Sequence, residues 1–174
     1  LVLYRLFTRF GSTSVSLWAV FIVGIWCASP VLQTGYAESL GLIFFAWSLI
    51  LIHDRKYLLA LIPIALLTFT RPGSLAIALL LALVFAVRWF KERQATTFSL
   101  VERMRLLVAT LAAGILGFGW MLTAWLITGR PDAYIATELA WRGGYLPAKR
   151  LIPFEGWFAS FNFHFGYPVG IFAL

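Results

Sequence analysis

Runs of apolar residues with no charge in them constrain this chain more than any motif it carries. They cover 15–32, 39–52, 57–69 and 106–128; another, 74–89, is interrupted by Arg88 alone, and a last one begins near Gly156. A helix rises about 1.5 Å per residue and the hydrocarbon core of a bilayer is about 30 Å thick, so about 20 apolar residues cross it. Charged residues make up 12% of the sequence and hydrophobic ones 61%, whereas a soluble domain carries roughly 25% charged residues. A soluble chain of 174 residues has too much surface for its volume to hide that much apolar area. The expected fold is all-α, a polytopic transmembrane helical bundle with about six membrane segments, forming one domain over 1–174.

Two of the segments are short. The run 57–69 reaches only roughly 20 Å as a helix, and Pro63 within it is expected to bend it. Together with 74–89, from which Arg71-Pro72-Gly73 separates it, it either ends inside the membrane or forms half of a re-entrant hairpin. The chain opens on Leu1 and closes within the apolar stretch 157–174, so it is expected to be a fragment, incomplete at both ends. Arg5 and Arg9 stand among Leu, Tyr and Phe with no small-residue cleavage site after them, which is not the pattern of a signal peptide. A single cysteine, Cys27, excludes an internal disulfide.

The net charge of +7 would suggest nucleic acid in a soluble protein, but its distribution argues otherwise. Counted loop by loop, one side collects Arg5, Arg9, Arg55, Lys56, Arg88, Lys91, Arg93, Arg103 and Arg105 against Asp54, Glu92 and Glu102. The other collects Arg71, Arg130, Arg142, Lys149 and Arg150 against Glu38, Asp132, Glu138 and Glu155. The strongly basic side is expected to be cytoplasmic and the near-neutral side to face outward. The strip from Arg88 to Arg105 is read as a topology determinant beside anionic lipid headgroups. Membrane lipid, and not nucleic acid, is the expected partner.

Familiar catalytic motifs are absent: the sequence has no phosphate loop, no His-Glu-x-x-His, no cysteine pair and no nucleophile elbow. His53 beside Asp54 and Arg55 reads as an interfacial residue, and His164 among phenylalanines as a packed one. Gly114, Gly117 and Gly119 are expected to let helices approach closely.

Three outward places remain. In the first, Pro30 closes a helix, Gly35 turns the chain, and Tyr36 and Glu38 follow at the start of the next helix. Glu38 either complements the helix macrodipole or serves, with Tyr36, sugar hydroxyls or base catalysis. In the second, Thr70-Arg71-Pro72-Gly73-Ser74, an outward arginine runs against the positive-inside tendency. Thr70 as cap and Pro72 as starter would leave the N–H groups near Gly73 and Ser74 beside the guanidinium, a phosphate-binding arrangement; otherwise Arg71 snorkels to lipid phosphate. In the third, the loop 129–150, Asp132 is expected to cap a helix Ala133–Arg142 that places Tyr134, Glu138 and Trp141 on one face and Ile135 and Leu139 on another. That face either stacks on a sugar ring or anchors the helix at the interface. Glu38, Arg71, Glu138 and Arg142 together offer acids for hydroxyls and guanidinium for phosphate, which suits a membrane-dissolved phosphate-sugar donor.

The order Leu3-Tyr4-Arg5-Leu6, Ser29-Pro30, Tyr36-Ala37-Glu38-Ser39-Leu40, Thr70-Arg71-Pro72-Gly73 and Thr137-Glu138-Leu139-Ala140-Trp141-Arg142 resembles the GT-C glycosyltransferases. More narrowly it is similar to the mannosyltransferases that add the second mannose of glycosylphosphatidylinositol anchors, and to their bacterial relatives. Pro72 departs from the Ser-Asn of the eukaryotic pattern and leans to the bacterial branch. The resemblance implies an inverting, metal-independent transfer of mannose from a polyprenyl-phosphate carrier to a glycolipid or glycoprotein acceptor on the non-cytoplasmic face, with no cofactor. It implies a catalytic acid in an outward loop expected before Leu1, a phosphate contact at Arg71, where the residue reading adds Gly73 and Ser74, and sugar or acceptor contacts at Tyr36, Glu38, Glu138, Trp141 and Arg142. The location it implies is the bacterial cytoplasmic membrane with the active face outward, or the endoplasmic reticulum in a eukaryote. A transporter or lipid flippase, whose broken short helices look alike, and a non-catalytic scaffold subunit are the competing classes.

Overall fold

A computed structural model describes residues 1–27, 29–34, 36–70, 73–92 and 98–142. Helix accounts for 82% of them and no strand occurs among them, so the all-α expectation holds. The helices are α1 (Val2–Phe7), α2 (Thr13–Ile25), α3 (Glu38–His53), α4 (Tyr57–Thr70), α5 (Ser74–Glu92), α6 (Leu100–Leu116), α7 (Gly119–Thr128) and α8 (Ala133–Arg142), with a 3-10 turn at Ser29–Gln33 between α2 and α3. The chain divides into two units, Leu1–Trp120 and a second beginning at Met121.

Helix starts follow local chemistry. Ser12 and Ser99, both in extended backbone, accept hydrogen bonds from the Val15 and Glu102 amides and so cap α2 and α6. Two boundaries differ from the sequence expectation. The run 15–32 is helical only to Ile25, because the chain leaves helical geometry at Trp26 (ψ 141°) and re-forms as the 3-10 turn, with Pro30 inside that turn and not closing a helix. The run 106–128 is two helices, since α6 begins earlier, at Leu100, and stops at Leu116. Gly117 and Phe118 form the break, where the Gly117 amide is shared between the Ala113 and Gly114 carbonyls. The apolar run starting near Gly156 lies outside the described residues, as does His164.

In the first unit α4 packs between α3 and α6, α5 lies against α6, and α1 bridges α2 and α3. The core joins Ile52, Tyr57, Ala60, Ile64 and Leu67 to Ile77, Leu81, Leu106, Ala109 and Ala113. Ala60, Ala109 and Ala113 are fully buried, and such small side chains let helix axes come close. Pro63 is buried inside α4, which continues through it to Thr70. Of the three glycines expected to serve close packing, two do. An added Cβ on Gly117 would collide with the Leu75 side chain, and one on Gly119 would lie 2.8 Å from Thr68 Cγ2, whereas Gly114 faces open space.

Among the described residues α5 alone, over Ser74–Lys91, is long and apolar enough to cross a membrane; counting α6 and α7 as one broken span gives two. α2, α3 and α4 are apolar but shorter. Large apolar side chains stand exposed along these helices, among them Trp18, Phe21, Leu79, Leu111 and Leu126.

Candidate functional site

The connection from α2 to α3 is fastened by hydroxyl groups. Ser29 donates to the Val23 carbonyl and Ser39 to the Leu32 carbonyl, while Thr34 Oγ1 donates to Val31 at 2.7 Å. Folded back in this way, the 3-10 turn leaves a groove of about 410 Å³ between itself and α2. Ile22, Val23 and Trp26 form one wall, Val31 and Leu32 the other, and Glu38 closes it. Glu38 opens α3 and is half-buried. One of its carboxylate oxygens, Oε2, is buried. Its place in the first turn suits the helix macrodipole, and its place on the groove puts an acidic group against apolar walls. Tyr36, two residues earlier, is 70% exposed.

No family model, curated protein or solved structure matches this chain. The chemistry of the site therefore rests on the residues themselves.

At the second place, Arg71 and Pro72 lie outside the described residues. Thr70 does not cap α5: it ends α4, and its hydroxyl turns back to the Leu66 and Leu67 carbonyls at 3.2 and 2.9 Å. Gly73 is half-buried and Ser74, at the start of α5, is 1% exposed. At the third place the helix Ala133–Arg142 forms with the expected bounds. Tyr134 and Glu138 are both half-buried. Burial, and then the neighbouring Glu138 carboxylate, push the Tyr134 phenol up from its ordinary value, as their spacing of one helical turn requires. Ahead of the helix, both Asp132 oxygens accept from Arg130, at 2.8 and 3.3 Å. The side chains of Trp141 and Arg142 lie outside the described residues. Tyr36 and Glu38 belong to the first unit and Glu138 to the second.

The opposite end of the first unit carries a polar network that the sequence reading did not foresee. Arg88 is not part of an exposed loop. α5 continues past it to Glu92, and Arg88 is 8% exposed. Its guanidinium pairs with the Glu102 carboxylate of α6, donates to Tyr57 Oη at 3.0 Å and lies 4.4 Å over the Phe98 ring. Tyr57 in turn donates to Glu102 at 3.3 Å. Arg55 stands 3.9 Å from the same carboxylate. Arg9 grips Asp54 through two bonds of 3.0 and 2.9 Å, and His53 meets the Phe10 ring edge-on at 5.2 Å. The available signal was Arg88 itself, a charge one turn inside an apolar run, with a carboxylate in the first turn of the following helix.

Proposed function

We propose that this chain is part of a multi-pass membrane glycosyltransferase that moves mannose from a polyprenyl-phosphate carrier to a glycolipid or glycoprotein acceptor on the non-cytoplasmic face. The observation that carries the reading is the groove beside α2, apolar along its walls and closed by the Glu38 carboxylate. Such a groove takes an isoprenoid chain by area burial, and its carboxylate accepts hydrogen bonds from sugar hydroxyls at the end of that chain. The apolar side chains exposed on α2, α5, α6 and α7 suit hydrocarbon as their solvent, because helices satisfy their own backbone polar groups there.

In the reaction an acceptor hydroxyl oxygen bonds to the anomeric carbon, the bond from that carbon to the carrier phosphate breaks, and polyprenyl phosphate leaves. The hydroxyl proton passes to a carboxylate base. Glu38 is assigned a positioning contact to the sugar and not the role of that base, Tyr36 flanks it, and Arg71 with the backbone at Gly73 and Ser74 is assigned the leaving phosphate. Glu138, Trp141 and Arg142 are assigned to the acceptor side.

The test uses full-length protein in membranes with radiolabelled polyprenyl-phosphate-mannose and a lipid extract of the host. Wild type should move label into a new glycolipid or glycoprotein. Glu38→Gln, which keeps shape and removes charge, should lower transfer by about two orders of magnitude, as loss of a hydrogen bond to a charged group in the transition state does. Arg71→Ala should abolish transfer, and Arg71→Lys should restore little, since a point charge does not replace a planar fork. Full transfer by Glu38→Gln would remove the groove from the reading. Absence of transfer by wild type with intact donor would turn it toward another donor or toward transport.

A further inference from the structure

A further cavity of the first unit, about 450 Å³, opens beside the Arg88 network, between the last turns of α3, the start of α4 and the later turns of α5. Leu49, Leu80 and Val84 give it apolar walls, and Arg55 and Arg88 give it a cationic end with His53 beside them. The charges near that end are unevenly committed. Arg9 offsets Asp54 and Arg88 offsets Glu102, whereas Arg55 only approaches that same Glu102 carboxylate, at 3.9 Å, and its side chain keeps 58% of its surface exposed; Lys56 follows it in the chain.

Arg55 is also the sole non-glycine residue in the left-handed region among those described, at φ 58°. A side chain there costs stability that glycine would avoid. An arginine at a position that suits glycine, with its side chain on a cavity, points to use of that side chain.

We infer that this cavity is a binding site for an anionic phospholipid, with the phosphodiester headgroup at Arg55 and His53 and an acyl chain along Leu49, Leu80 and Val84. The chemistry matches on both sides: guanidinium forks bind phosphate oxygens, and apolar walls take the chain. The basic end of the first unit is the end that faces the anionic leaflet by the positive-inside rule. The site uses the membrane part of the reading above and is independent of the transfer reaction.

The experiment starts with flotation of the full-length protein on phosphatidylcholine vesicles. The delipidated protein in detergent is then titrated with phosphatidylglycerol or phosphatidylcholine under native mass spectrometry. Wild type should float, and should hold one phosphatidylglycerol at least tenfold more tightly than phosphatidylcholine. Arg55→Gly should lose about tenfold in phosphatidylglycerol affinity while its Tm rises, which separates loss of the site from loss of the fold. Equal retention of the two lipids would overturn the proposal, as would undiminished binding by Arg55→Gly. Displacement of the lipid by millimolar glycerol 3-phosphate would make the site one for soluble phosphates and would likewise overturn it. Failure to float would overturn the membrane reading and this site together, whereas flotation without lipid preference would overturn this site alone.

Discussion

Arg88, buried, and Glu102, half-buried, show how much a single ion pair can hold. Taking two charges from water costs several kcal/mol each, and here the cost is offset by mutual attraction, by Tyr57 and by the Phe98 face. Removing one partner strands the other, so Glu102→Leu or Arg88→Met should each destabilise the first unit by about 3–5 kcal/mol. The double replacement Arg88→Met with Glu102→Leu should recover most of that loss, because neither charge is then left buried. Denaturant unfolding of the four proteins of the cycle checks this, and additive losses would refute the coupling. Asp54 makes a milder case. The hydrogen bond from Arg9 holds its carboxyl below the usual range, with attraction from Arg9, His53 and Lys56 adding to it against some desolvation. A carboxyl lowered in the folded state stabilises above its unfolded value of about 3.9, and that contribution is lost as pH falls through the lower folded value. Both partners are about a third exposed, so screening limits the effect to about 0.5–1 kcal/mol. Asp54→Asn should lie below wild type in Tm at neutral pH, and the gap should close as pH falls from about 5 toward 2. A gap unchanged over that range would rule out the ion pair as its source.

At the scale of the elements, the breaks matter as much as the helices. α4, with 14 residues, spans about 21 Å and needs its neighbours to cover its ends. The turn from α6 to α7 succeeds because its glycines leave room. Gly119 faces Thr68, a buried β-branched residue whose Cγ2 has no torsion to swing away without leaving its rotamer. Gly119→Ala should therefore cost about 1–3 kcal/mol by overpacking. Gly114, with nothing within 4 Å of an added Cβ, should accept alanine with a gain of up to about 1 kcal/mol from helix propensity. Thermal unfolding of the two variants separates packing glycines from permissive ones, and equal effects would refute the distinction. In the sequence the three glycines look alike, since spacing alone does not say which face meets a neighbour.

For the molecule as a whole, apolar periodicity located the helices well and their ends less well. The bounds expected for 57–69 and 74–89 match α4 and α5 to within a few residues, because Arg-Pro-Gly and Asp-Arg-Lys punctuate both sides. The run 15–32 misled because no charged residue marks the place near Trp26 where the helix gives way to the 3-10 turn. Sorting charges by loop placed Arg9, Asp54, Arg55, Arg88 and Glu102 on one side, and the ion pairs that link them put these residues at one end of the first unit. What the loop count missed was that the charges there are bound to each other. Of the outward candidates, Glu38 lines a groove, Ser74 is buried, and Glu138 reaches Tyr134.

The sequence by itself determined that the described residues are helical, that α2, α3 and α4 are apolar nearly all round, and which helix ends carry charge. These follow from hydropathy and helix period, which are local properties. Only the tertiary structure decided that Arg88 faces a partner instead of a lipid headgroup, that Glu38 closes a groove, and that Arg55 holds a left-handed backbone beside a cavity. Those depend on which surfaces of distant segments meet, and a side chain's cost or use is set by its neighbours in space, which no local pattern encodes.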